Sequence, residues 1–130
     1  MRLMRFDAGI GQPAGRGKHV ITTDVACCSG QAEVSCSHFG SYDRTVYRRV
    51  LLPQLFLIVD GEGWVRNEDG MRICLQAGQA VYWETGDWYE AGTDTGMTVF
   101  CIQNVRMKPA QLLEELSSHQ EGTYHAPAAI

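Results

Sequence analysis

The chain has 130 residues, of which 45% are hydrophobic and 20% charged, a composition typical of a single globular domain with one core. The net charge of −4 at pH 7 disfavours a surface that follows phosphate groups, so we expect no nucleic-acid partner. No apolar run approaches the roughly 20 residues of a membrane-spanning helix, and no signal peptide is visible behind the first residues. We therefore predict a cytoplasmic protein without a membrane partner.

Short β-prone segments separated by turn residues make up most of the chain. Residues 1–19 predict an edge strand followed by a loop, and residues 20–106 form the main body. Within this body we predict strands at 20–23, 32–39, 45–52, 55–59, 64–67, 71–75, 80–83 and 97–102. Strands at such regular spacing, with glycine-containing turns between them, predict an antiparallel sandwich or barrel.

The last part of the chain, residues 107–130, has a different pattern. Pro109 suits the first turn of a helix, and Leu112, Leu113 and Leu116 recur at helical spacing. They predict a short helix over 109–118 that covers one side of the barrel. The tail that follows carries no packing pattern.

The five cysteines are Cys27, Cys28, Cys36, Cys74 and Cys101. Their number is odd, and no two stand at the spacing of a zinc knuckle. In a cytoplasmic chain such residues are reduced thiols that behave as small buried hydrophobes. We expect this of all except Cys36, which shares one face of a predicted strand with a histidine two residues later.

Two stretches of the central part resemble the motifs of small single-domain bacterial cupins, which read G-x5-H-x-H-x3/4-E-x6-G and G-x5-P-x-G-x2-H-x3-N. Gly78, Gly86 and Tyr89 stand at the spacing of the two glycines and the histidine of the second motif. Gln54 precedes Gly61 by the spacing of the glutamate in the first motif. The resemblance implies an all-β fold, an antiparallel cupin-type β-barrel (jelly roll), to which the predicted short C-terminal helix is added.

The glycines of these stretches also have a physical role of their own. We expect Gly61 and Gly63 to flank a tight corner at which the strand turns back. A positive φ at such a corner would strain a β-branched residue, whereas glycine adopts it freely. Gly78 and Gly86 enclose a predicted strand and permit sharp corners of the barrel.

In cupins, the histidines and the glutamate of the motifs usually hold a divalent metal ion, but this chain has other residues at those positions. Gln54 replaces the glutamate, and Tyr89 replaces the last histidine. With the longer spacer of the first motif, Tyr47 and Arg49 replace its two histidines. A glutamine oxygen is a weak ligand, and a tyrosine binds a metal well only after it loses its proton.

With the shorter spacer, Arg48 and Val50 replace the two histidines instead, and the sequence leaves both alignments open. In either case one arginine stands at a ligand position. Arginine is a permanent cation without a free lone pair, so it repels a metal ion at short range. We therefore predict that the protein has no metal site and no cofactor.

The same positions suit a barrel that binds a small organic molecule without a metal ion. Alternation along a strand brings Gln54 and Phe56 to one side, and an inward arginine could hold a carboxylate by two parallel hydrogen bonds. Either Tyr82 with Glu84, or Trp83 from the opposite face of its strand, completes the pocket. The ligand-binding residues predicted in this way are Cys36, Tyr47, Arg49, Gln54, Phe56, Tyr82, Trp83, Glu84 and Tyr89.

Three other hypotheses remain open at this point. The first is a metal-free isomerase, cyclase or lyase in which His38, Tyr89 and Glu90 are the catalytic acid and base and Arg49 stabilises negative charge. The second is a metal-dependent oxygenase or isomerase with ligands rearranged around His38 and Cys36. The third is a dimeric scaffold without catalysis.

We also expect a homodimer, since small cupins commonly pair through the edges of their barrels. Residues 1–7 form a natural edge strand that two copies could exchange. Covering an otherwise exposed strand edge is the physical reason for such pairing.

Overall fold

The computed structural model of the chain describes residues 1–13 and 19–110 together with the strand at 114–115. A short 3-10 helix, Ala8–Ile10, is the one helix of these residues, and none of them forms a helix that could span a membrane. The strands are β1 (Arg2–Arg5), β2 (Gln12–Pro13), β3 (Ile21–Thr22), β4 (Ala26–Cys27), β5 (Glu33–Phe39), β6 (Arg48–Arg49), β7 (Gln54–Arg66), β8 (Arg72–Gln76), β9 (Gln79–Trp83), β10 (Trp88–Gly92), β11 (Met97–Gln103), β12 (Lys108–Pro109) and β13 (Glu114–Glu115).

Two antiparallel layers form the barrel, and the long strand β7 belongs to both of them. The first half of β7 pairs with β9 and β11, which gives the first layer the order β13-β1-β9-β7-β11-β5. Its second half pairs with β8 and β10, which gives the second layer the order β8-β7-β10-β6. Two separate ribbons, β2 with β3 and β4 with β12, lie outside these layers.

Gly61 marks the place where β7 passes from one layer to the other. Its φ is +79°, and a side chain here would collide with the backbone carbonyl of Gly96. The expectation that the strand turns back at Gly61 and Gly63 is therefore wrong. The strand bends and continues, because its two halves pair with different strands. Gly78 and Gly86 stand in turns, as predicted, and both have a positive φ.

The main core lies between the two layers and takes its residues from both. Its buried members include Phe56, Ile58, Val65, Leu75, Val81, Trp83, Tyr89, Met97 and Val99. Removing such apolar area from water is the main favourable contribution to the free energy of folding. This cluster therefore holds the two layers together.

A second core lies on the outer side of the first layer. Its buried members are Met4, Leu55, Leu57, Ala80, Tyr82 and Met107. Ile102 of β11 packs against it, as do Phe6, Ile10 and Val25 from outside the layer. The alternation along β7 thus gives both faces of its first half a hydrophobic neighbour, which is why residues 54–58 are all buried.

Most predicted strands are confirmed, with changes at their ends. The strands predicted at 55–59 and 64–67 are one strand, β7, and the segment 45–52 contributes only Arg48–Arg49. β10, Trp88–Gly92, was not predicted. Its glycine and its glutamate are uncommon in strands, which disguises β10, although the four residues after Trp88 are buried and the strand pairs with β7.

A helix was predicted over 109–118, but the described residues of the C-terminal region include two short strands and no helix. Lys108–Pro109 pairs with β4, and Glu114–Glu115 pairs with β1. At these positions pairing with distant strands overrides the local helical spacing. The rest of 109–118, and the tail, lie outside the described residues.

The cysteines are less buried than predicted. Cys27 and Cys28 are exposed, as is Cys36, while Cys74 and Cys101 are half-buried. The expectation of burial is wrong for Cys27 and Cys28 because they lie in and next to a two-stranded surface ribbon rather than in the barrel.

Candidate functional site

Polar side chains meet at one end of the barrel interior, where strand pairing places them. Residues directly opposite each other in an antiparallel pair project to the same face. β10 sets Tyr89 opposite Arg48, and β7 sets Gln54 opposite Trp83 and Gln103. We call the set at this end the polar end: Arg48, Gln54, Phe56, Trp83, Tyr89, Cys101 and Gln103.

The phenol oxygen of Tyr89 is the centre of the polar end. Arg48 donates to it from Nε at 3.2 Å and from Nη2 at 3.0 Å. Gln54 donates to it from Nε2 at 3.3 Å. Tyr89 is only 2% exposed and Gln54 5%, whereas Arg48 is exposed, so the guanidinium connects the buried interior to solvent.

Gln103 and Cys101 extend the site along β11. Gln103 Nε2 donates to Gln54 Oε1 at 3.1 Å, so both amide atoms of Gln54 have partners within the site. Burial raises the pKa of the Cys101 thiol to about 11, and the charge of Arg48 and a hydrogen bond with Gln103 offset only part of that rise. The thiol therefore keeps its proton at neutral pH.

Trp83 forms the aromatic wall of the site and carries an unpaired polar atom. Its ring stacks on Tyr89 with centroids 4.1 Å apart and meets Phe56 edge-on at 5.6 Å. The side chain is 0% exposed. Within the described part of the chain, Nε1 of Trp83 is the buried side-chain nitrogen or oxygen that has no hydrogen-bond partner.

The barrel is open to solvent beside the polar end. Ser35 of β5 lies opposite Cys101 and thus projects to the inner face, yet it is exposed. Among the described strands β5 pairs with β11 alone, so it forms an edge of its layer. Cys101 and Gln103 are themselves partly exposed. The inner face is therefore accessible from the side of β5.

Tyr47 and Arg49, which were expected to bind the ligand, lie on the outer face of the second layer. Since Arg48 projects inward, its neighbours in the chain project outward. Arg49 is opposite the half-exposed Trp88, and Tyr47 stacks on Trp88 with centroids 5.4 Å apart. This corrects the alignment of the first motif: the shorter spacer, with Arg48 and the buried Val50, gives the inward residues.

On β9 the expected inward residues were either Tyr82 with Glu84 or Trp83. Trp83 faces the interior, opposite Gln54, and the other alternative is wrong. Tyr82 points outward into the second core, where its hydroxyl donates to the carbonyl of Met107 at 3.4 Å. Burial raises the pKa of Tyr82 there. Glu84 follows the strand and is exposed. Tyr82 and Glu84 are thus not part of the polar end.

The three residues predicted as acid and base are not brought together, which corrects that set. Glu90 follows Tyr89 and projects to the opposite face, where it accepts a hydrogen bond from Arg66 Nε at 2.7 Å. His38 projects from β5 to the outer face of the first layer, with Nδ1 3.4 Å from the hydroxyl of Thr98. Only Tyr89 of the three faces the interior.

Cys36 lies on the outer face of the first layer, as His38 does. It was expected to bind the ligand, but it lies away from the polar end. Its Sγ is 3.8 Å from Nε2 of His38, and both residues are exposed. Across residues 1–13 and 19–110, no three His, Cys, Asp or Glu side chains are grouped so that they could hold a metal ion.

Cys101 and Gln103 belong to the site although no motif singled them out. Alternation from Met97 and Val99 continues to both residues and places all four on one face of β11. This alternation is visible in the sequence, but the sequence does not say which of the two faces of the strand points inward. Arg48 was one of two alternatives that the motif left open.

No protein-family model and no curated protein matches the sequence. Solved structures do match it. A cupin superfamily protein from Desulfitobacterium hafniense has a TM-score of 0.54 at 14% identity, and the match covers 78% of this chain and 99% of that one. A cupin-like protein from Thermotoga maritima has a TM-score of 0.55 at 13% identity, covering 73% of this chain and 74% of that one.

A cupin-2 domain containing protein from Shewanella frigidimarina matches with a TM-score of 0.52 at 14% identity, over 60% of this chain and 74% of that one. Similarity at this level of identity is similarity of fold. Together with the antiparallel layers, it shows that the chain has the all-β cupin fold that its motifs implied.

Proposed function

We propose that the protein binds a small organic molecule at the polar end of its barrel, without a metal ion. The observation that carries this proposal is the buried indole N–H of Trp83, which has no acceptor among the described residues. Buried polar groups are nearly always paired, and an unpaired one costs about 1–3 kcal/mol. An acceptor atom on a bound molecule would remove this cost.

The surroundings of Trp83 support binding because they combine apolar walls with a few polar groups, as ligand sites in proteins do. Phe56 and Trp83 supply the walls, and Arg48, Tyr89 and Gln103 supply the polar groups. The rest of the interior is filled by the aliphatic side chains of the main core. A ligand at this end must therefore be small.

The residues present do not fit the metal centre that cupins often carry. Arg48 directs two N–H groups at the oxygen of Tyr89, so a cation at this place would meet donors and positive charge rather than lone pairs. Gln54 has both amide atoms engaged.

Binding is favoured over acid–base catalysis by the placement of the candidate groups. His38 and Glu90 project from outer faces, so neither can exchange a proton with a molecule held beside Tyr89. A ligand at the polar end meets Arg48, Tyr89 and a neutral thiol instead.

Elemental analysis of untagged protein tests the metal-free part of the proposal. The protein would be purified without chelator and without nickel resin, and its metals measured by plasma mass spectrometry. We expect a substoichiometric content of every transition metal. One equivalent of iron, manganese, nickel or zinc that survives gel filtration would overturn this part.

A melting-temperature screen with small organic molecules tests the binding part, since a ligand that binds only the folded state raises the melting temperature. We expect stabilising compounds for the wild type that lose their effect in Arg48→Gln. The matched control is Arg49→Gln, which removes the same charge from the outer face one residue away. Equal stabilisation of the two variants would contradict the placement of the site.

We further propose the homodimer, supported by the open edge of β5 and by exposed apolar residues beside it such as Val34 and Phe100. In the structure the predicted exchange strand β1 pairs with β9 of its own chain. Sedimentation at micromolar concentration would contradict the homodimer by giving a monomer.

A cytoplasmic location and the lack of nucleic-acid and membrane partners stay predictions.

A further inference from the structure

We propose that the ligand is a small carboxylic acid with an apolar body, bound as its anion, with the carboxylate at Arg48 and the body against Phe56 and Trp83. This inference rests on the proposed function and adds the chemical class of the ligand. It follows from the kind of hydrogen-bonding groups that are left unpaired at the polar end.

Arg48 is a cation without an anionic partner. No Asp or Glu among the described residues forms an ion pair with it, and its two hydrogen bonds both go to the phenol oxygen of Tyr89. A guanidinium has five N–H groups. Two are used here, so three remain for an acceptor, while the bonds to Tyr89 hold the fork of donors in place.

Two other groups at this end, the phenol of Tyr89 and the indole of Trp83, also offer a donor. The Tyr89 oxygen accepts from Arg48 and Gln54, so its own proton is left to be donated elsewhere. The Trp83 indole can only donate. The acceptor of Gln54 is already taken by Gln103. A ligand group that accepts only, and carries negative charge, completes this set.

A carboxylate fits these donors better than a phosphate does. It is planar, carries one charge and pairs with one guanidinium by two parallel hydrogen bonds. A phosphate carries more charge, and within the described residues Arg48 is the one cationic side chain that the polar end holds. The walls formed by Phe56 and Trp83 favour an apolar body next to the carboxylate.

The remaining ionisable groups at this end allow an anion to bind. Cys101 is a neutral thiol at neutral pH because burial raises its pKa to about 11. Glu33 lies opposite Gln103 at the end of β5 and shares the inner face, but it is exposed. Water and salt screen the charge of an exposed carboxylate, so Glu33 weakens the attraction of Arg48 for an anion without cancelling it.

Sodium benzoate, benzamide and benzyl alcohol are the probes, since they share the phenyl body and differ in the polar group. Binding would be followed by the ¹H–¹⁵N signals of the tryptophan indoles, with Trp83→Phe identifying the Trp83 signal. We expect benzoate to shift the Trp83 signal, because its phenyl body lies against the indole, and to raise the melting temperature. Benzamide and benzyl alcohol at the same concentration should bind about ten- to a hundred-fold more weakly, since they lack the charge that strengthens the hydrogen bonds.

Two arginine variants test where the carboxylate lies. Arg48→Gln should weaken benzoate binding about ten- to a hundred-fold, and Arg48→Lys should restore only part of it because lysine lacks the planar fork. Arg49→Gln should leave the benzoate affinity unchanged. Benzoate binding that tolerates Arg48→Gln would overturn the inference. The melting temperature of each variant without ligand shows that it is folded.

The outcomes separate this inference from the proposed function. If benzamide or benzyl alcohol binds as well as benzoate, or inorganic phosphate binds better, the carboxylate is overturned while a small-molecule site at Trp83 stands. If none of these probes, and no compound of a wider screen, moves the Trp83 indole signal, both the inference and the proposed function fail.

Discussion

The two ends of the barrel interior share the strands β7, β10 and β11 and differ in whether their polar groups all have hydrogen-bond partners. Along β11, Met97 and Val99 are buried among aliphatic side chains, while two residues further Cys101 and Gln103 are partly exposed. We call the first region the apolar end: Ile58, Val65, Leu75, Ala91, Met97 and Val99. The comparison teaches that one end of a small barrel can supply the stability that lets the other keep unpaired donors.

The largest expected effect comes from the apolar end. Ile58→Ala should lower the free energy of unfolding by about 2–5 kcal/mol, because Ile58 is 1% exposed and the lost side chain leaves a cavity. Val59→Ala is the matched control: the adjacent Val59 is exposed, so its loss should cost about 0.5 kcal/mol or less. Urea unfolding of both variants measures the difference, and similar values would contradict the division into faces.

At the polar end, the Cys101 thiol should make the stability fall with rising pH. Its pKa is about 11 in the folded protein against an ordinary value of 9.0, so between these values the unfolded chain releases a proton that the folded chain keeps. The full loss is about 2–3 kcal/mol. It is absent below pH 9 and complete above pH 11.

Cys101→Ala isolates this contribution from those of Cys74 and Tyr82, whose pKa values burial also raises. Urea unfolding at a series of pH values from 8 upward would measure it. Wild type and variant should differ in how steeply their stability falls, with the wild type falling faster. Parallel curves would show that burial of Cys101 does not hold its proton.

A smaller effect is expected from the hydroxyl at the centre of the site. Tyr89→Phe removes the acceptor of the buried Gln54 amide and should cost about 1–3 kcal/mol, while the exposed Arg48 can turn to water. Tyr47→Phe removes a hydroxyl from the outer face and should cost about 0.5 kcal/mol or less. Chemical denaturation of both variants compares the two faces, and an equal cost would go against the central role of Tyr89.

The smallest effect should come from the unpaired donor. Trp83→Phe loses packing in the core but also removes an unsatisfied buried N–H, so the two contributions oppose each other and the net cost should be about 1 kcal/mol or less. A cost as large as that of Ile58→Ala would contradict the expected gain from removing the unpaired N–H. Unfolding experiments without added ligand make this comparison.

Most of the strands and half of the site could be predicted because local signals determine them. Gln54 and Tyr89 follow from motif spacing, and Phe56 follows from alternation with Gln54. Turn glycines such as Gly78 and Gly86 carry a backbone requirement that is visible in one residue. The barrel fold rests on the same signals.

The absolute direction of several side chains could not be predicted. Arg48 and Arg49 are neighbours of the same type, and Tyr82 and Trp83 are neighbouring aromatics. Alternation says only that neighbours face opposite sides. For the same reason His38 was expected near the ligand, although it lies on the outer face.

By itself, the sequence determined an all-β chain with turns at Gly78 and Gly86, a central strand over residues 55–59, and a tyrosine where cupins have a histidine. Only the tertiary structure decided that Arg48 and Trp83 face the interior, and that Cys101 and Gln103 join them. The physical reason is that side-chain alternation within a strand fixes relative directions, whereas pairing with a partner strand fixes which face is buried.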